Sequence, residues 1–552
     1  MDFQRRTLLA IVVSVLIWIV YASYFAPPTP EPKAATANTS IADAGADGAG
    51  AKADAPRGAD AQADADAAPD SKPHNETPAQ THRLTTELIA LDVGNVDGII
   101  RRTELLSKQF VRADGIGDDF LHLGGADSLA ISFDANETDF RMPRNAGWEV
   151  VGKTDTTWSL RYKDLDVEVL SDLKVTGGYE GQLQVKVLNR SSKRQAHRML
   201  LKSQYGLPKE ASSYDIHRGL CATADDVEEF DSSDVAEQSG TIRGQIRWAA
   251  LDSKYFVSAV VPTHPVQMCE VKLSDDGAML VSTIGSNTVT LEPNESRTYE
   301  FGLYLGTKEM ESLSSFAVVP GVHLEDAVDW GWFGGLTRFL GEKMLWLLRV
   351  FFNLTGIWGV AIILLTVCVK VVTLPLTFKQ MRSMKKMREV QPELEALKKK
   401  YADDRVRQAQ EMQALFKRAG VNPLAGCLPM IIQLPIWIAL YAMLNTAVEL
   451  YREPFLWLPD LTQQDPYYIL PLAMGALMYF QMKIQPSGVD NEQAKMMAWM
   501  MPIIFTVMML FLPSGLCVYI FANVLLSLVQ TVIQLRPSPT AVAPQRVEEH
   551  HG

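Results

Sequence analysis

The chain lacks the residues that most intramembrane chemistry needs. Its nine histidines all lie outside the long apolar runs, which excludes a zinc centre of the HExxH kind within a bilayer. Aspartate and glutamate are missing from those runs too, so neither a proton-coupled carboxylate relay nor an intramembrane aspartyl protease fits. No Walker A sequence is present, and nothing points to nucleotide hydrolysis. The five cysteines, Cys221, Cys269, Cys368, Cys427 and Cys517, show no CxxC or Cys/His spacing, so no metal and no cofactor is expected. The last three fall in apolar runs and read as packing residues. Cys221 and Cys269 share a polar region, where a disulfide and two free thiols both remain open. Ser514, in Pro-Ser-Gly-Leu, has no histidine to activate it and reads as a turn residue.

What is present falls into unlike parts. The formal net charge of -12 owes much to acids between Asp43 and Asp70, in an Ala/Asp-rich stretch, and reflects a solvated linker. Residues 1–25 place Arg5 and Arg6 before a long run from Leu8 to Phe25 with no small-x-small cleavage site before Pro27, the pattern of an uncleaved signal anchor. Residues 26–80 have too few large apolar side chains to fold and read as a tether. From 81 to 325 the hydrophobic period is two, as in Asp166-Val-Glu-Val-Leu170, Gln182-Leu-Gln-Val-Lys-Val-Leu188 and Tyr299-Glu-Phe-Gly-Leu-Tyr304. Many short strands of this kind predict a β-sandwich. At 330–350, Trp332, Phe333, Leu336, Phe339 and Leu340 interleave with Arg338, Glu342 and Lys343, which predicts an interfacial amphipathic helix.

Apolar spans follow at 354–376, 424–448, 467–482, 498–512 and 515–535, each near the roughly 20 residues that cross a bilayer. With the first run they make six transmembrane helices, and the fold class is a polytopic α-helical membrane protein with an all-β sandwich inserted between its first two spans. Residues 378–420 divide around Tyr401-Ala-Asp-Asp404 into two halves with apolar residues at three-four spacing. These are Met384, Met387, Val390 or Gln391, Leu394, Leu397 and Tyr401, then Val406, Ala409, Met412 and Leu415 or Phe416, and they spell an antiparallel helical hairpin. That segment is dense in Lys and Arg, whereas the loop from Glu449 to Asp465 is mostly acidic. The bias places the hairpin, both termini and the 536–552 tail in the cytoplasm, with the β-domain outside it. In a double-membrane bacterium that is the periplasm of the inner membrane.

Lys370 is the ionisable residue within the spans. A lysine at a helix centre costs about 2.5–3.5 kcal/mol on insertion scales. Two accounts stay open. The side chain can snorkel, since it lies roughly 9 Å from the cytoplasmic end. Alternatively it faces a wet groove, with Thr366 one turn earlier and Gln433, Asn445, Asn523 and Gln530 as polar groups in other spans. The basic hairpin likewise reads either as a topology signal or as a surface for ribosomal RNA, anionic lipid or acidic client segments, through Lys385, Lys386, Arg388, Lys398, Lys399 and Lys400.

Taken together, Leu374-Pro-Leu-Thr377, Met387 to Gln391-Pro392, Val421-Asn-Pro-Leu-Ala-Gly-Cys427, Asp465-Pro-Tyr-Tyr-Ile-Leu-Pro471, Met501-Pro502 and Pro513-Ser-Gly515 resemble the YidC/Oxa/Alb family of membrane insertases, in its long form with a periplasmic domain. The resemblance implies a five-helix insertase core and a positively charged hydrophilic groove that receives the polar end of a client, with no covalent catalysis. It implies nascent membrane proteins, the Sec translocon, the ribosome and signal recognition particle machinery, and membrane lipids as partners. Lys370 stands where the family usually carries Arg, Thr366 matches a polar groove position, Tyr519 matches one aromatic of a Tyr-Tyr pair, and Ile520 departs from the second. Gln433 and Asn523 complete the expected groove. Two other readings compete with insertion: a small-solute transporter or channel with a periplasmic sensor domain, for which repeat symmetry or broken helices would be expected, and a purely structural factor that binds the Sec translocon.

Overall fold

A computed structural model describes residues 78–535 except 97–98, 112–116, 122–127, 144–145, 209–215, 237, 331–333, 402–403, 421–427 and 485–491. The expected signal anchor, nearly all of the tether and the C-terminal tail lie outside the described residues.

Between Thr81 and Thr307 the chain forms two nine-stranded antiparallel sheets and a two-stranded ribbon. The alternating runs explain the layers. In the hairpin of Val167–Gly177 and Glu180–Asn189, Val167, Val169, Leu173 and Val175 face inward opposite Leu183, Val185 and Val187. The central strand Ser296–Thr307 departs from strict alternation, being buried on both faces beyond Phe301. Its outer face is covered by the segment after it, where Phe316 packs edge-on to Tyr304. Cys221 and Cys269 are bonded, with Cα atoms 6.1 Å apart. One sits in each sheet, so the bond staples the sandwich and contributes about 2–4 kcal/mol.

Charge is also buried here. Asp252, at the end of the strand Trp248–Ser253, lies 2.8 Å from Arg218 Nε and 2.8 Å from Lys308 Nζ, and all three side chains are nearly inaccessible. His197 is fully buried, its Nε2 2.9 Å from Tyr299 Oη. Burial, aided by the Arg297 charge, pushes its imidazole from 6.5 down to about 4. Between those values the unfolded chain binds a proton that the folded chain refuses. Stability is therefore complete above about pH 6.5 and falls as the pH drops towards 4. His197→Gln is expected to remove about 2 kcal/mol of the loss between pH 6.5 and 4.5 in denaturation of the full chain; an unchanged slope contradicts this. His264, lowered chiefly by burial as well, accounts for a remaining slope.

Eight helices follow among the described residues. A short one, α1 (Met310–Ser314), closes the β-domain, and α2 (Gly334–Thr355) is the amphipathic segment. It runs past the expected end at 350 and takes the first residues assigned to the next span, until Gly356, at φ 69°, breaks it. Then α3 runs without interruption over Trp358–Lys400, through Pro375 and Pro392. The span expected at 354–376 and the first arm of the hairpin are therefore one helix, about 64 Å long at helical rise. α4 (Arg405–Ala419) folds back on it, capped by Asp404, which accepts from the Arg407 amide at 3.0 Å. Leu394 and Leu415 are buried, but Val406 is 71% exposed and Ala409 is exposed too. The expected seam is not met at those two positions; Gln408 instead faces α3, donating to the Lys398 carbonyl at 3.0 Å.

The remaining helices are α5 (Leu428–Thr446), α6 (Ile469–Ile484), α7 (Glu492–Met509) and α8 (Ser514–Leu535). Among the described residues two stretches are long and apolar enough to cross a membrane, Trp358–Phe378 and Ser514–Ile533, while Ile469–Ile484 and Met500–Met509 are shorter. Two of the six expected spans are thus helices of membrane length, and the first lies outside the described residues. α7 as a whole has 18 residues and ends before the turn at Pro513. α6 and α7 approach closely enough that a Cβ on Gly475 would collide with Thr506 Oγ1.

The β-domain is clamped to the helices through the loop after α5. Tyr451 packs among Phe110, Tyr255 and Phe256, with ring centroids 5.4–5.7 Å away. Arg452, at φ 57°, reaches Asp118 at 2.7 Å. Arg349 of α2 joins Glu309 at 3.2 Å and Glu449 at 2.8 Å.

Candidate functional site

The two longest apolar stretches lie side by side, α3 against α8. Outward, Val371, Val372, Val529 and Ile533 are exposed, as a lipid-facing surface requires. Where the helices meet, each carries a polar stripe at helical spacing: Thr366, Lys370, Thr373 and Thr377 on α3, and Tyr519, Asn523, Ser527 and Thr531 on α8.

Lys370 Nζ donates to Ser527 Oγ at 2.7 Å. The ammonium is therefore directed sideways to the neighbouring helix. Ser527 Oγ in turn donates to the Asn523 carbonyl at 2.7 Å. Among the described residues no carboxylate lies within ion-pair distance of Lys370.

Thr366 is fully buried, and its hydroxyl is spent on the Ile362 carbonyl at 2.8 Å. Thr373, Thr377 and Thr531 bond their own helices in the same manner. Gln433 and Asn523 are half-buried. Among the described residues, Tyr519 is fully buried with no partner for its hydroxyl, and Gln530 Nε2 and Asn445 Oδ1 are buried atoms without a match. Such groups are costly in an apolar setting unless something polar meets them. Sequence reasoning missed Ser527, although it lies one turn from Asn523 in an otherwise apolar stretch.

Two further positions resolve differently. Ser514 is buried in a turn: its Oγ donates to the Asp460 carbonyl at 2.9 Å, and its amide and that of Gly515 donate to Gln463 and Leu461, each at 2.7 Å. That pairing anchors the start of α8. In the hairpin, Lys386, Lys399 and Lys400 are exposed and Lys398 is half-buried, while Lys400 lies over the Tyr401 ring at 5.4 Å. The side chains of Lys385 and Arg388 lie outside the described residues.

A large β-sandwich clamped to a bundle of apolar helices, two of them long and apolar enough to cross a membrane, is the architecture of a membrane protein with an extramembrane domain. Residues 350–540 match the family model described as 60Kd inner membrane protein, and residues 117–347 match that of the YidC periplasmic domain. The chain is 34% identical to the "Membrane protein insertase YidC" of Geobacter sulfurreducens over 98% of its own length and 100% of that protein's. It is 42% identical to the protein of the same name from Anaeromyxobacter sp. (strain Fw109-5), over 60% of this chain and 59% of that relative. The chain thus spans under two thirds of that relative in alignment. Among solved structures, one titled "Active YidC insertase crystal structure with the first transmembrane domain resolved" has a TM-score of 0.37 at 19% identity, covering 84% of this chain and 94% of that one. A galactose mutarotase related enzyme from Lactobacillus acidophilus scores 0.32 at 10% identity over 41% of this chain and 97% of that one. Both scores are low, and the assignment stands on the sequence matches. The chain belongs to the YidC family of inner-membrane proteins, in the form that carries a periplasmic domain.

Proposed function

We propose that the chain is a membrane protein insertase whose α3–α8 seam receives the polar tail of a client and lowers the barrier to moving that tail across the bilayer. The observation that carries this reading is the Lys370 ammonium, held sideways at 2.7 Å from Ser527 between two membrane-length helices. A polar tail in hydrocarbon loses its water, and hydrated protein surface part-way across reduces that cost. Burial of the client's own apolar span drives the step. Thr366, Gln433, Tyr519 and Asn523 line the path. The topology has six spans with both termini in the cytoplasm and the β-domain in the periplasm, and the protein works alone or beside the Sec translocon. Purified protein in liposomes is expected to give protease-protected insertion of a short single-span protein; insertion no better than in empty liposomes contradicts the reading.

The hairpin recruits. Its exposed lysines offer a positive surface for ribosomal RNA, the signal recognition particle machinery or anionic lipid. Replacing Lys386, Lys398, Lys399 and Lys400 together by glutamine is expected to weaken co-sedimentation with ribosomes at least several-fold and to flatten its dependence on salt. Unchanged binding reduces the hairpin to a topology signal.

A further inference from the structure

The contact between Lys370 and Ser527 does more than place a charge in the seam, and the role inferred for it rests on the insertase reading. An ammonium has three donors and no acceptor, so Ser527 must accept in the 2.7 Å contact. The serine's own proton is already committed to the Asn523 carbonyl, one turn back on α8. The hydroxyl is therefore oriented before Lys370 arrives, with its lone pairs available to α3. Because the partner is neutral, the contact aims the charge without cancelling it, and two of the three ammonium donors stay available.

We propose that Ser527 is a positioning residue: it holds the Lys370 ammonium within the α3–α8 seam, where an acidic or carbonyl-rich client tail meets it. The lysine stem is flexible, and the cytoplasmic end of the span is roughly 9 Å away at helical rise, within reach of a snorkelling side chain. With no hydroxyl on α8, nothing described opposes that escape. Ser527 acts through Lys370 and not by touching the client itself, which distinguishes it from a second binding group. Thr531, one turn further on, donates to the Ser527 carbonyl and offers Lys370 no equivalent contact among the described interactions.

The test uses the full chain in liposomes and two versions of a short single-span test protein, one with aspartates in its N-terminal tail and one with asparagines in their place. Ser527→Ala is expected to reduce insertion of the aspartate version about three- to tenfold, the worth of one typical net hydrogen bond, and to leave the asparagine version unchanged. Ser527→Thr, which keeps the hydroxyl, restores insertion. In a Lys370→Ala background, Ser527→Ala adds nothing further. Equal losses for both test proteins, or no rescue by threonine, show a role in helix packing and overturn the proposal. A Lys370→Ala protein that is impaired while Ser527→Ala matches the wild type overturns the role of Ser527 alone. If Lys370→Ala inserts the aspartate version normally, the charge reading and this proposal fall together.

Discussion

Lys370→Glu is expected to abolish insertion of a short single-span protein with an acidic tail, whereas Lys370→Arg keeps most of it and Lys370→Ala falls between. The ordering follows from sign. Two unit charges about 4 Å apart at an effective dielectric near 20 interact by about 4 kcal/mol, so reversing the charge turns attraction for an acidic tail into comparable repulsion. Glutamate also meets the wrong partner. The Ser527 proton is already given to Asn523, so an ionised carboxylate at this place faces lone pairs instead of a donor. Arginine keeps the charge and can still donate to Ser527, although its planar fork fits one hydroxyl less simply than an ammonium does. A loss of at least tenfold for glutamate in protease-protected insertion supports the charge role. Wild-type insertion by Lys370→Glu contradicts it.

The largest effect on stability is expected at Asp252. Its carboxylate lies 2.8 Å from both Arg218 Nε and Lys308 Nζ. Burial pushes the Lys308 ammonium down and Asp252 pulls it back up. Asp252→Ala leaves two buried cations without the anion they share. Arg218 retains Glu229 and, more distantly, Asp329, but Lys308 retains only the Ser253 carbonyl at 3.4 Å among the described contacts. Removing one partner from a buried ionic group typically costs about 3–5 kcal/mol. Amide exchange in the strand Trp248–Ser253 of the full chain in detergent is therefore expected to accelerate a hundred-fold or more. An acceleration of less than tenfold, about 1.4 kcal/mol, contradicts a structural role for the cluster.

Much of this architecture was legible because it depends on period and composition. The runs around Val169, Val185 and Phe301 lie in strands, and two of the apolar runs are membrane-length helices. What escaped the sequence depends on partners brought together from afar. Ser527 looks like a neutral helix residue until α3 is placed beside it, since a serine in an apolar helix usually spends its hydroxyl on its own backbone. Cys221 and Cys269 gave no spacing signal because their pairing is set by the packing of two sheets. Tyr451 and Arg452 sit in an ordinary-looking loop, and only the β-domain contacts reveal them as a clamp. Val406 misled because heptad spacing fixes a face only relative to a partner, and it is Gln408 that faces α3.

Passage of a client's polar tail through the α3–α8 seam is tested most directly by a photo-crosslinking residue placed at Asn523 in the full chain, flashed during insertion of a single-span client into liposomes. Cross-links to the client's tail should appear early and disappear as the protease-protected fraction rises. Insertion that proceeds with no cross-link to the tail at any time contradicts passage through the seam.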